Sequence, residues 1–393
     1  MRAGLVALLA AIGCAQPDLA PPRGPTSSPN GPVSFAEPDA GLEIDAPLDA
    51  EDAAIDSAPP LDAAPPVITG PEVWLRGNTH IHAKPSGDSI TPIPDVIRYY
   101  EQRGYDFIVI TDHNKISETG DVSTAGNPAV RNPPNGMIVL AGIELTYNPT
   151  GCVPSGDESG RCRIHVNLLG PTARFEGKLE WANRLRDERV EKYQAAIEAQ
   201  HQLGGLLQLN HPNWYWGMTP DVLVEVARRG ISLVEIANAQ FEKWNIGDKD
   251  HPSTEMLWDA VLQKGYTMWG VASDDAHQFN ADGSGKYPAG GAWVVVRAQR
   301  HPQAILDALA HGRFYSSNGI TLERAGVEGN ELVVEVDKRA LGAHTIDFIE
   351  NGKTVASIKG KLARRALPAT GYVRAVVSRG DGKKAWVQPA RRP

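Results

Sequence analysis

Between residues 71 and 316 short apolar runs alternate with amphipathic stretches, and that alternation limits the possible folds more than any other feature of the chain. The apolar runs fall at residues 73–81, 107–111, 137–146, 163–169, 205–209, 233–237, 267–272 and 292–297. Helical periodicity fits residues 92–103, 176–203, 219–229, 254–264 and 301–311, with Thr91-Pro92 and Thr219-Pro220 as helix starts. Strands separated by helices predict an α/β fold, either a parallel barrel or a doubly wound sheet. After Asn318-Gly319 the helical signal stops. Short runs at 332–336, 345–350, 354–358, 372–377 and 385–388, with an Asn351-Gly352 turn, predict a small antiparallel β-sandwich over residues 318–393.

The placement of ligand-type side chains favours the barrel. His80-x-His82 closes the first run and Asp88 follows it; His113 ends Thr111-Asp112-His113, and Glu144 lies near the end of the third run. His165, His211 and Asp275-x-His277 continue the series, so six of the eleven histidines fall at or just past strand ends. Functional groups of α/β barrels gather where strands end. Imidazole and carboxylate suit Zn, Mn and Fe, and ions held this way make hydroxide from water near neutral pH. Each piece alone has a plain alternative: His-x-His as a polar patch, His113 or His211 as a hydrogen-bonded structural histidine. Glu144 is harder to explain so, because an unpaired carboxylate after an apolar run is costly to bury. The ordered recurrence predicts a multinuclear metal site. Strand alternation turns Asp274 away from Asp275, so Asp274 is expected to cap or hydrogen-bond rather than ligate.

Residues 1–14 read as an export signal: Met1-Arg2, then an apolar stretch at 4–12 too short to span a bilayer. The ending Ala11-Ile12-Gly13-Cys14 is similar to a bacterial lipobox, whose cysteine is lipidated and holds the protein at a membrane; ordinary secretion and a chance apolar start are the alternatives. Residues 15–70 carry twelve prolines and ten Asp/Glu against Arg23 alone, which predicts an extended, self-repelling tether. Residues 71–393 then have no net charge. That leaves no basic field for a long nucleic acid, and a small-molecule substrate is expected. Cys152 and Cys162 read as a local disulfide in an oxidising compartment, with metal-binding or free thiols as alternatives.

In this order the motifs resemble the polymerase-and-histidinol-phosphatase (PHP) family of metallohydrolases, over about residues 74–315. The resemblance implies a distorted seven-stranded (β/α) barrel across residues 71–317 with two or three divalent ions (Zn, Mn or Fe). It implies one ion on His80, His82, Glu144 and Asp275, a second on Glu144, His165 and His211, and a third on Asp88, His113 and His277. The phrases Leu75-Arg76-Gly77-Asn78-Thr79-His80 and Ala385-Trp386-Val387-Gln388-Pro389 are similar to the carbaryl hydrolase-like branch. Phosphoester hydrolysis is the leading expectation, with Glu144 bridging two ions and Asp275 or a nearby histidine shuttling a proton. Arg163, two residues before His165, is expected to hold a phosphate oxygen or to make a surface salt bridge; Lys84 is a lesser cationic candidate. Ester, amide or carbamate hydrolysis is the alternative, with Trp214, Tyr215 and Trp216 as an aromatic pocket or a core plug. An exonuclease and a non-catalytic surface binding protein are further alternatives.

Overall fold

The computed structural model describes residues 68–120, 127–156, 160–175 and 177–392; the stretch read as an export signal, Cys14 and nearly all of the stretch read as a tether lie outside them. Strand β1 (Val73–Asn78) is followed by helix α1 (Ile93–Glu101) and then by β2 (Phe107–Val109), which pairs with β1 in parallel. β2 pairs in parallel with β3 (Ile138–Leu140). The chain then passes through Ala141 into β4 (Gly142–Tyr147), which opens a different sheet. Gly142 permits this crossing, since a Cβ there would lie 2.7 Å from the Ile110 carbonyl oxygen. The single run predicted at 137–146 is therefore two strands in two sheets.

The second sheet runs in order β4, β5 (Ile164–Leu169), β6 (Leu206–Leu209), β7 (Leu233–Asn238) and β8 (Trp269–Ser273). β4 pairs antiparallel with β5, and β5 with β6, unlike the all-parallel arrangement expected from the alternation. The cause is visible between β4 and β5: a loop closed by the Cys152–Cys162 disulfide joins them where a parallel pair would need a crossover helix. Helix α2 (Arg189–Leu203) precedes β6 and is shorter than predicted. The Val153 amide donates to the Asp187 carbonyl and the Arg189 amide to the Val153 carbonyl, both at 2.9 Å, holding the chain extended up to residue 189. From β6 onward the pattern is regular. β6, β7 and β8 are parallel, with α3 (Pro220–Arg228) before β7 and α4 (Glu242–Ile246) and α5 (Thr254–Gln263) before β8.

Single bridges, rather than a continuous ladder, join the two sheets at one end: Ile81 to Ala276 beyond β1 and β8, and His113 to Glu144 beyond β2. Leu75, Phe107, Val109, Leu140, Leu233 and Val271, drawn from both sheets, form one apolar cluster. β9 (Trp293–Ala298) pairs antiparallel with the free edge of β1, and helix α6 (Pro302–Ala310) leads on to β10 (Phe314–Ser317), paired with β9.

The C-terminal strands form two layers. β11 (Leu322–Glu328), β12 (Glu331–Val336) and β15 (Leu362–Ala366) make a three-stranded antiparallel sheet. β13 (His344–Glu350), β14 (Lys353–Lys359), β16 (Val373–Arg379) and β17 (Lys384–Ala390) make the other, and β17 pairs with β10. The first sheet thus runs unbroken across the boundary read at 317/318. Tyr315, Leu332, Val334, Phe348, Val377 and Val387 pack between the layers. Arg374 of β16 crosses to α5, where it donates two hydrogen bonds of 2.7 Å to Asp259.

Candidate metal centre

The ligand-type residues come together because the strand ends are stitched to one another. β1 stops at Asn78, whose Oδ1 accepts from the His80 amide (3.1 Å) while its Nδ2 donates to the Ala292 carbonyl (2.9 Å). Beyond it the Asp275 amide donates to the His80 carbonyl (3.0 Å) and the His82 amide to the Ala276 carbonyl (2.9 Å), setting His80 and His82 beside Asp275. On the other seam the Asn114 amide donates to the Glu144 carbonyl (2.8 Å), which sets His113 beside Glu144. Asp274 takes the amides of Gly290, Gly291 and Ala292 and the Tyr100 hydroxyl, and so fixes the loop before β9.

All nine residues singled out from the sequence meet in this one place. Their ligand atoms fall into four overlapping groups, each with its atoms within 4.8 Å of one another: His80, His82 and Glu144; His80, His211 and Asp275; Glu144, His165 and His211; and His82, Asp88, His113 and His277. Glu144 Oε1 lies 3.3 Å from His80 Nε2, 3.1 Å from His165 Nδ1 and 3.7 Å from His211 Nε2, whereas Oε2 lies 2.6 Å from His113 Nδ1. Asp275 Oδ1 lies 3.3 Å from both His80 Nε2 and His82 Nε2. Asp88 Oδ2 reaches His113 Nε2 at 2.9 Å and His277 Nε2 at 3.0 Å at the more exposed side of the cluster.

Glu144 and Asp275 are buried, and their ion-pair partners among the described residues are all histidines. Burial pushes His82 down to about 3 and His165 down to about 4. Burial works against protonated His113 as well, but Glu144 and Asp88 outweigh it and hold that ring up to about 10. Burial would raise Glu144, yet the charges of His165, His113 and His80 hold it well below the usual carboxylate range. Protons cannot satisfy such a set. His80 Nε2 faces His82 Nε2 at 3.1 Å as well as the two carboxylate oxygens, so a proton there serves one contact, whereas a dication meets all of them. The buried clusters fit metal ions.

Hydrogen bonds behind the rings decide which nitrogen each presents. His80 Nδ1 meets Glu235 Oε1 (2.7 Å), His82 Nδ1 meets Ser86 Oγ (3.0 Å) and His277 Nδ1 meets the Asp275 carbonyl (3.0 Å), leaving Nε2 inward. His165 is reversed: Nε2 meets Asn148 Oδ1 (2.9 Å) and Nδ1 faces Glu144. His211 Nδ1 is buried without a partner among the described residues. Asn210 donates to Glu144 Oε1 at 2.8 Å.

Glu235 escaped the sequence reading. It is fully buried in β7 and also accepts from the His211 amide (2.7 Å) and from Asn238 (3.0 Å). The available signal was an acid inside the apolar run Leu233-Val234-Glu235-Ile236. Arg163, by contrast, does not line the cavity. It precedes β5 with φ 49°, which breaks the alternation that would put it on the His165 face, and its guanidinium lies over the rings of Trp214 (4.5 Å) and Tyr215 (4.8 Å). Lys84 borders a separate surface hollow with Pro85 and Lys115. Trp214 reaches the cavity, but Trp216 stacks on His251 at 4.3 Å.

The cavity above the cluster measures about 280 Å³ and is also bordered by Trp214, Phe241, Gln278, Lys286 and Tyr287. Backbone strain gathers around it: of the described non-glycine residues with positive φ, Asn114, Arg163, His211, Tyr215, Trp216, Asp275 and Tyr287 lie in or beside it, and Asn351 alone lies in a distant hairpin. No protein-family model and no curated protein matches this chain.

Proposed function

We propose that the protein is a metal-dependent hydrolase that cleaves a small phosphoester, on a PHP-type barrel carrying two or three divalent ions such as Zn, Mn or Fe. The observation that carries this reading is the position of Glu144, whose two oxygens divide the imidazoles between them, Oε1 toward His80, His165 and His211 and Oε2 toward His82 and His113. A carboxylate so placed is built to bridge. When bound, the ions would bring a water's pKa toward about 7 and neutralise charge on substrate oxygens.

The chain's own groups have separate parts. Glu235, Ser86 and Asn148 hold His80, His82 and His165 in their orientations. Asp275, steadied through Oδ2 by Asn238 at 3.2 Å, is the acid placed to pass a proton to the leaving oxygen. Lys286 at the cavity wall attracts an anionic substrate. Arg163 buttresses Trp214 and is given no contact with substrate. The seven-strand barrel is supported by the two bridges that join the sheets beside the ligands. Export with a lipid on Cys14 belongs to the same proposal and is supported by the disulfide.

A second reading, hydrolysis of a carboxylic ester or carbamate, is favoured by the aromatic side of the cavity. Protein loaded with Mn²⁺ or Zn²⁺ and assayed on p-nitrophenyl phosphate and 1-naphthyl N-methylcarbamate separates the two. Phosphate turnover that disappears in Glu144→Gln is the expected result. Turnover of the carbamate alone moves the protein to the second reading. Bound metal by elemental analysis with neither reaction would sink both in favour of a surface binding protein.

A further inference from the structure

Three rings form a continuous arc along one side of the cavity. Trp214 meets Phe241 with centroids 4.8 Å apart and planes at 35°, and Phe241 meets Tyr287 at 6.3 Å and 48°. The arc touches the ligand cluster at both ends. Trp214 stands edge-on to His211 (5.0 Å) and His165 (5.6 Å), and Tyr287 lies 5.3 Å from His277. Phe241 is buried, whereas Trp214 and Tyr287 are half-buried and border the open space.

These rings are held rather than loosely packed. Arg163, just before β5, lies over Trp214, and the Trp214 amide donates to the His211 carbonyl at 2.9 Å. Tyr287 adopts φ 62°, and its carbonyl takes the amides of His277 (2.9 Å) and Gln278 (3.2 Å). A tyrosine in that backbone region is uncommon, so the surrounding structure fixes it there. Tilted rings offer the faces and edges that another aromatic ring prefers. A cavity of about 280 Å³ suits one ring and one ester group rather than a polymer.

Resting on the hydrolase reading above, the geometry points to an aryl phosphomonoester as the substrate class, its ring seated on the Trp214–Phe241–Tyr287 arc and its phosphoryl group over Glu144 and Asp275. Water adds its oxygen to phosphorus and the bond from phosphorus to the aryl oxygen breaks. The phenol leaves with one of water's protons, and inorganic phosphate remains. No oxidant or reductant takes part.

The test is equilibrium binding of phenylphosphonate and cyclohexylphosphonate to the Mn²⁺-loaded full chain by titration calorimetry, a pair matched in size and charge but not in planarity. The wild type should prefer the phenyl compound by about tenfold, and each of Trp214→Leu and Tyr287→Leu should lose roughly three- to tenfold on it while changing the cyclohexyl compound less than about twofold. Metal content is measured in every variant. Tyr287→Leu, far along the arc from His165, keeps the test decisive if Trp214→Leu disturbs folding. Equal affinities for the two phosphonates in the wild type overturn the aryl assignment and leave the phosphoesterase reading standing. If neither phosphonate binds and only carbonyl esters turn over, the phosphoester reading falls; equal rates on phenyl and cyclohexyl acetate would then overturn the role of the arc, and a phenyl preference lost in both variants would uphold it.

Discussion

Arg374 and Glu144 are both buried charges, but their surroundings differ in kind. Arg374 is closed by its own chain: Asp259 accepts two of its hydrogen bonds at 2.7 Å, Tyr372 donates to the same carboxylate at 2.6 Å, and Glu255 lies 3.1 Å from both Arg374 and Lys384. Glu144 has no arginine or lysine as an ion-pair partner among the described residues; those partners are imidazoles, whose nitrogens compete for too few protons. The backbone differs likewise, with positive φ at His211, Asp275 and Asn114 beside the cluster and none on α5 or β16. A buried network that supplies its own cation joins α5 to the C-terminal sheet. One that withholds it, on strained backbone, is arranged to take a cation from outside.

Two substitutions should separate these roles most sharply. Glu144→Gln removes the shared carboxylate, and kcat should fall by about 10³-fold or more, together with bound metal measured by elemental analysis. A variant with normal metal content and activity would end the bridging role. Arg374→Met leaves Asp259 buried without its cation and should cost roughly 3–5 kcal/mol in denaturant unfolding, with metal content per folded molecule unchanged. Coupled loss of metal would show that the two networks are one.

The same contrast governs what could be read in advance. Side chains suited to a metal are histidine or acid, and their spacing at strand ends brings into view all nine that the structure gathers. Arg374, Asp259 and Glu255 carried no such signal, because a pair joined across 115 residues has no local pattern. Helix α5 and strands β6 to β8 were legible because their periodicity is undisturbed. The antiparallel pairing of β4 and β5 was not, since strand direction depends on the loop between Cys152 and Cys162 rather than on either strand. Strands β11 and β15 were missed for a different reason: half-buried or exposed along most of their length, they lack the apolar alternation that marks a strand against a core. Arg163 was misplaced by assuming strand geometry one residue too far.

Glu235 offers an intermediate case, a buried acid that serves the site without facing the cavity. Glu235→Gln keeps the shape and the hydrogen bond from the His211 amide but removes the charge behind His80. Affinity for Mn²⁺ or Zn²⁺, measured by competition with a chelating dye, should drop by about 10–100-fold. Unfolding stability of the metal-free variant should change less than in Arg374→Met. Unaltered affinity would reduce Glu235 to a structural acid.

Acid titration of the metal-free protein should expose the difference between the networks through their pH windows. His82 and His165 have folded values of about 3 and 4, below the ordinary 6.5, so the unfolded chain binds their protons first as pH falls. Their contribution is present above 6.5 and is lost as pH falls from 6.5 through about 4 for His165 and about 3 for His82. His113 runs the other way: with a folded value of about 10 its contribution is lost only as pH rises from 6.5 through 10, and it is already complete below 6.5. Stability without metal should therefore peak near pH 6.5. Burial opposes ionised Glu255, but Arg374 and Lys384 lower its pKa, so the junction gives way only as pH falls below about 4.5. Denaturant midpoints taken from pH 8 to pH 4 should fall on the acid side in the wild type and flatten in His165→Asn, while Arg374→Met shifts the whole curve down without moving its peak. A peak that moves with Arg374 instead would mean that the junction, and not the cluster, sets the acid limit.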